Sequence, residues 1–199
     1  MPGILYGITD RFSIFLNVPV APRYQQREKH ASGIEDVILQ LEYAFYTKST
    51  STFYDHATLV GNVTFPSGSI SKDPATGYGS PTSFLGTTFD RTYKDWYLFT
   101  AYGALLTTAH HGTKFGNEFF YQYGLGCNIC DIDSKWLFAW MTEIDGFYVG
   151  KSRIHGLLNP DSGGNVVYIT PSLWVSSKKI IIQLGAGWVI SQHLFGNAF

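Results

Sequence analysis

Apolar and polar positions alternate along most of the chain, one residue to a side. From Phe12 to Val20 the even positions Phe12, Ile14, Leu16, Val18 and Val20 are apolar, with Ser13, Asn17 and Pro19 between them. From Val37 to Phe45 the odd positions Val37, Leu39, Leu41, Tyr43 and Phe45 oppose Gln40 and Glu42. Trp136, Phe138, Trp140, Ile144 and Tyr148 oppose Glu143 and Asp145, while Val167, Ile169, Leu173 and Val175 oppose Tyr168, Thr170 and Ser172. Ile180, Ile182, Leu184, Ala186, Trp188 and Ile190 oppose Gln183, Gly185, Gly187 and Ser191. A period of two belongs to strands with one greasy face, and about ten such segments succeed one another without a stretch of helical period. They begin near Leu5, Phe12, Val37, His56, Thr82, Trp96, Glu118, Trp136, Val166 and Ile180. The chain reads as all-β.

The connections alternate in length. Short ones fall at Thr9 to Arg11, Thr47 to Thr52, Asp90 to Asp95, Asp131 to Lys135 and Ser176 to Lys179. Long ones fall at Ala21 to Glu35, Pro66 to Pro81, Ala109 to Asn117 and Gly150 to Asn165. Short turns on one rim and long loops on the other suit an antiparallel up-and-down transmembrane β-barrel of the bacterial outer membrane, with the long loops extracellular. A soluble lipocalin-like barrel or a β-sandwich gives the same alternation with the apolar face inward. Two features favour the membrane: the polar side is Ser, Thr, Gly, Asn and Gln with few Lys or Glu, and aromatic residues gather near segment ends at Phe65, Trp96, Trp136 and Tyr148.

Composition fits that picture. Charged residues make up 15% of the 199, against 45% hydrophobic and 17% aromatic, with 21 Gly. The formal net charge of −1 gives no basic footprint, so no nucleic-acid partner is expected. No apolar run reaches the length of a membrane helix, and no basic segment followed by an apolar run opens the chain at Met1. Residues 1–199 read as a single barrel domain. By parity both ends fall on the long-loop side, whereas bacterial barrels begin and end in the periplasm, so a strand is expected to be lacking at each end of a parent of about 12 strands. Phe199, as a terminal aromatic, suggests a closing residue, but Gly196-Asn197-Ala198 before it is poor strand sequence and reads as loop.

Five strings carry a family resemblance. YGITDRFSIFLNVPV resembles the opening hairpin of the MetA-pathway of phenol degradation family, whose members are regarded as outer-membrane transporters. SGIEDVILQLEYAFY is similar to its G-x-x-D-x-x-L-x-x-K-Y strand, and TFPSG at Thr64 to Gly68 to its x-x-P-T-G stop, with Ser67 in place of Thr. WLFAWMTEIDGFYVG resembles the E-x-x-G strand through Glu143 and Gly146. YITPSLWVSSKKIIIQLGAGWVI resembles the closing segment, with Val189-Ile190 and no proline. The resemblance implies passage of small, often aromatic or hydrophobic compounds across the outer membrane.

Candidate chemistry is sparse. Cys127-Asn128-Ile129-Cys130 suggests a redox pair or half of a four-ligand zinc site, but no second pair exists, Cys127 alternates onto the apolar face with Tyr123 and Leu125, and Cys130 enters the turn, so ordinary thiols or a local disulfide are expected. His110 and His111 lie in a long loop, where neighbours at a strand end point to opposite sides. No G-x-S-x-G nucleophile motif occurs, and His56 is the other candidate base, so neither an enzyme nor a metal or cofactor is expected. A charge facing lipid at mid-depth is destabilising, by about 2–4 kcal/mol for Arg or Lys and less for a carboxylate, which assigns Glu42, Glu118, Glu143 and Asp145 to the lumen. Gln40, Gln122 and Gln183 join them, with the aromatics Phe15, Tyr46, Tyr168 and Trp174. These side chains either line a water path or interlock as a hydrogen-bonded plug.

The function expected is a channel or transporter for small hydrophobic or aromatic molecules, seated in outer-membrane lipid and lipopolysaccharide. The alternative is a non-conducting structural or docking barrel that partners other envelope proteins. The loop from Pro66 to Pro81 is expected to cap the extracellular mouth.

Overall fold

The computed structural model describes residues 2–26, 29–77, 79–132 and 135–196, and of residues 24–26 the backbone alone. β-Branched and aromatic residues in period two give strands throughout. They are β1 (Gly3–Thr9), β2 (Phe12–Asn17), β3 (Val20–Gln26), β4 (Lys29–Ile34), β5 (Val37–Ser49) and β6 (Phe53–Phe65). Then follow β7 (Thr82–Tyr93), β8 (Trp96–Thr107), β9 (Thr113–Lys114), β10 (Glu118–Ile132) and β11 (Trp136–Val149). The last are β12 (Arg153–Ile154), β13 (Leu157–Leu158), β14 (Gly164–Ser176), β15 (Ile181–Gly185) and β16 (Trp188–Leu194).

Eleven of these strands build one antiparallel up-and-down sheet in the order β1-β2-β5-β6-β7-β8-β10-β11-β14-β15, with β16 also on β14. β15 and β16 share one register on β14, Ser172 opposite Gly185 and Ile169 opposite Trp188, and are two halves of one stave. Pro171 divides them. Its carbonyl accepts from the Ala186 N–H at 3.2 Å, but it has no N–H to return, and the ladder lapses there. Each of the ten segments expected from the alternation is thus a stave. Among the described residues no pairing joins β1 to β15 or β16, so the sheet has two free edges and closure into a barrel is not part of it. Phe199 lies outside the described residues.

The loops are less plain than the sequence suggests. The stretch expected as a loop from Ala21 to Glu35 holds the β3–β4 hairpin, and β9 from one long loop pairs with β12 from another to form a small three-stranded sheet with β13. His111-Gly112 and His155-Gly156 make these tight reversals. Both residues of each pair have positive φ (48° and 79°, 50° and 81°), the geometry that returns a two-residue hairpin without splaying its strands.

Six consecutive strands of a flat sheet would spread over about 24 Å. Yet a single cavity of about 640 Å³ touches residues of β6, β7, β8, β10, β11 and β14, so the sheet curls around it. On the concave face lie Gln40, Glu42, Val60, Phe84, Gln122 and Asp145, buried or half-buried; on the convex face lie Leu41, Leu59, Leu125 and Ile144, all exposed. Leu85 is 61% exposed and Leu173 59%. Among the described residues the buried apolar side chains are all small, Ala21, Ala31 and Ala57 with Pro19 and Pro74, and Thr58, Thr64, Thr82, Thr107 and Ser172 are buried beside them. The usual order of a water-soluble core is reversed.

Candidate functional site

Cross-strand register stacks the concave face into rows. One row runs Ala44, Thr58, Thr88, Ala101, Gln122, Asp145 and Tyr168, each opposite the next. Gln122 donates from Nε2 to Asp145 Oδ1 at 2.6 Å, and both line the 640 Å³ cavity with Tyr168. Towards the long-loop rim the next row carries Val60, Gly86, Gly103, Phe120, Phe147 and Val166. Phe120 packs edge-on to Phe147, centroids 4.7 Å apart, and to Phe84 at 6.1 Å.

A second cavity, about 810 Å³, opens beyond Phe84 towards the mouth and touches Gln40, Asn62 and Thr64. Gln40 Nε2 donates to Glu42 Oε1 at 2.6 Å, and the Ser13 hydroxyl donates to Glu42 Oε2 at 3.2 Å, so both carboxylate oxygens of Glu42 are hydrogen-bonded and the side chain is held to the wall. The mouth cavity is roofed by Ala75 to Gly77 of the loop from Pro66 to Pro81. That loop is tied down by its own sequence. Ser67 Oγ donates to the Glu35 carbonyl and accepts from the Val37 N–H, both at 2.9 Å, and Asp36 Oδ1 accepts from Gly68 N–H at 2.9 Å.

The expected site residues therefore divide. Gln122, Asp145 and Tyr168 come together at the inner cavity, and Gln40 and Glu42 at its mouth side. Glu143 lies one row nearer the short turns, between Gly124 and Thr170, and Glu118 one row above Phe120, opposite Leu105. Trp174 donates its indole N–H to Ser172 Oγ at 3.0 Å and stands opposite Gln183, which is exposed on the edge strand; neither touches the two cavities. Phe15 faces inward opposite Gln40. Tyr46 does not: a bulge between Ala44 and Tyr46 adds a residue, sets Tyr46 opposite Ala57 and turns it to the convex side.

Three further readings change. β10 continues to Ile132, so Cys130 is a strand residue and not part of the turn; a bulge at Ile129 places it opposite Phe138, and both cysteines are free. His110 and His111 do not point apart, because His111 occupies a left-handed turn position, and their rings stack with centroids 4.0 Å apart. His56 does face inward, 4.0 Å from Asp90 and 3.5 Å from the Thr58 hydroxyl.

Phe84, Phe120 and Phe147 were not singled out by the sequence, although Phe120 and Phe147 sit two residues from Gln122 and Asp145 and share their parity. On the convex side near the short turns, Arg91 grips Asp55 through two 2.7 Å bonds and lies over Phe53 at 5.1 Å, leaving Asp55 only 2% exposed. Compared with protein-family models and with curated proteins, the chain matches none, so the likeness to the phenol-degradation family rests on the five short strings themselves.

Proposed function

We propose that this chain forms the wall of an outer-membrane β-barrel that passes small hydrophobic or aromatic molecules, with its convex face in lipid and the long loops at the cell surface. The observation that carries the reading is the reversed burial. Large aliphatic side chains such as Leu85 and Leu173 stand exposed on one face, while the Thr and Ser hydroxyls and the Gln122, Asp145, Gln40 and Glu42 side chains lie on the other, among aromatic and small residues. Each Leu or Ile moved from water into lipid gains about 1.5–3 kcal/mol, and the hydrogen-bonded Gln122–Asp145 and Gln40–Glu42 pairs escape the cost of facing hydrocarbon. A soluble barrel would need the opposite arrangement. The free edges of β1 and β15–β16 belong to the same proposal, because unpaired backbone is not tolerated in hydrocarbon and the wall must close there.

Transport is favoured over a non-conducting docking barrel by the two cavities that the described residues of the concave face line. Conductance of the purified, detergent-folded protein in a planar bilayer tests this, with phenol added as solute. Steady conductance that phenol blocks is expected. Silence from protein shown to be folded by heat-modifiable gel mobility favours the docking barrel instead.

A further inference from the structure

The mouth cavity of about 810 Å³ has polar and aromatic side chains side by side in its lining. Register sets their order. Gln40, Asn62, Phe84, Leu105 and Glu118 form one row from β5 to β10, with Thr64 opposite Thr82 in the row nearer the long loops. Phe120 stands one row nearer the short turns. Thr82 is 2% exposed and Thr64 7%, yet neither hydroxyl bonds to another described residue. Among the described residues no side-chain oxygen is both sealed off and without a partner, so these two hydroxyls reach the surface of the cavity they line. Nearly all buried hydroxyls find a partner within the protein. Two that face one cavity instead suit an occupant that hydrogen-bonds.

Charge narrows that occupant. Lys48 and Arg91, the Lys and Arg residues of the eleven-stranded sheet, both stand opposite Asp55 on its convex side. Glu42, Asp90, Glu118, Glu143 and Asp145 stand on the concave side, where the basic side chain among the described residues is His56, beside Asp90. Glu35 and Asp36 line the mouth cavity, and neither cavity has a Lys or Arg in its lining. In the roofing loop Lys72 donates to the Ser32 carbonyl, and Asp73 pairs with Lys29. An anion entering such surroundings meets like charge, whereas a cation is concentrated there.

We infer that the mouth cavity binds small ring-bearing organic cations of the arylalkylammonium class, with the ammonium at Asn62, Thr64, Thr82 and the Glu35–Asp36 carboxylates and the ring against Phe84 and Phe120. Neighbouring strands lie about 4.8 Å apart, so a two-carbon link between ring and charge reaches from Phe84 to Asn62. The inference rests on the transport reading for its biological sense and narrows it from aromatic compounds at large to those that carry a positive charge.

The test is calorimetric titration of the full chain, folded in a non-ionic detergent at neutral pH, with three probes of similar shape: phenethylammonium, 2-phenylethanol and phenylacetate. Phenethylammonium is expected to bind about tenfold more tightly than 2-phenylethanol, and phenylacetate more weakly than either. Thr82→Val and Glu35→Gln, which nearly keep side-chain volume, are each expected to weaken ammonium binding about threefold or more, while Asp95→Asn in the short turn before β8 leaves it within about twofold. The comparison of the three probes needs no variant, so it stands if a variant fails to fold. Equal affinity for the ammonium and the alcohol, or a preference for phenylacetate, overturns the charge class. Ammonium binding that both Thr82→Val and Glu35→Gln leave unchanged overturns the location, and folded protein that binds none of the probes overturns the site. Selective binding by a protein silent in the bilayer removes the transport reading and keeps the site; a conducting bilayer without ammonium binding does the reverse.

Discussion

At Gly103 the missing Cβ makes room for the Phe84 ring, and at Gly124 for the Phe99 ring, whose Cε1 lies 1.9 Å from where that Cβ would be. Rings that lie on glycine do not fill the concave face, so these small residues keep it open. Gly116 works differently. A Cβ there would stand 1.7 Å from the carbonyl oxygen of Gly150, a backbone atom that cannot swing aside. Gly116→Ala is therefore expected to part the loops that carry β9 and β12 and to cost about 1–3 kcal/mol, the range for overpacking. Urea unfolding of the vesicle-folded protein measures it, and an unchanged midpoint would contradict the contact. At this scale parity was legible: Gln40, Glu42, Gln122, Glu143, Asp145 and Tyr168 face the side that the alternation gives them. Tyr46 was not, because a bulge shifts parity without leaving a mark in hydrophobicity.

The staves were readable because period two persists through each of them, and their rims because turn chemistry recurs at Thr9 to Arg11 and Ser176 to Lys179. What escaped were pairings between loops. β9 and β12 have two residues each and gain order only from one another, so neither has a periodic signal of its own. The loop from Pro66 to Pro81 is fixed by single side chains, chiefly Ser67 and Asp36. Ser67→Ala removes two neutral hydrogen bonds worth about 0.5–1.5 kcal/mol each, so the open loop becomes roughly tenfold more populated. Trypsin cleavage at Lys72 is expected to speed up by a similar factor, since local opening governs nicking. Unchanged cleavage would show that the loop is held elsewhere.

Over the whole molecule the decisive property is which face meets what. The alternation reveals two unlike faces, and composition suggests which is greasy, but neither shows curvature. The cavities supply that, and with it the direction in which Gln122 and Asp145 look. The Asp55–Arg91 pair on the convex side fits the same scheme, because it lies beside the short turns, where a membrane offers headgroups instead of hydrocarbon.

The most direct test is spin-label accessibility in lipid vesicles, with labels at Leu59, Leu85 and Leu173 on the convex face and at Thr88, Ala101 and Asn62 on the concave one. The account predicts that the first three are relaxed by oxygen and shielded from a water-soluble nickel chelate, and that the second three show the reverse. Nickel access at Leu59, Leu85 and Leu173, with oxygen-rich surroundings at Ala101, would contradict it and would return the chain to the soluble class.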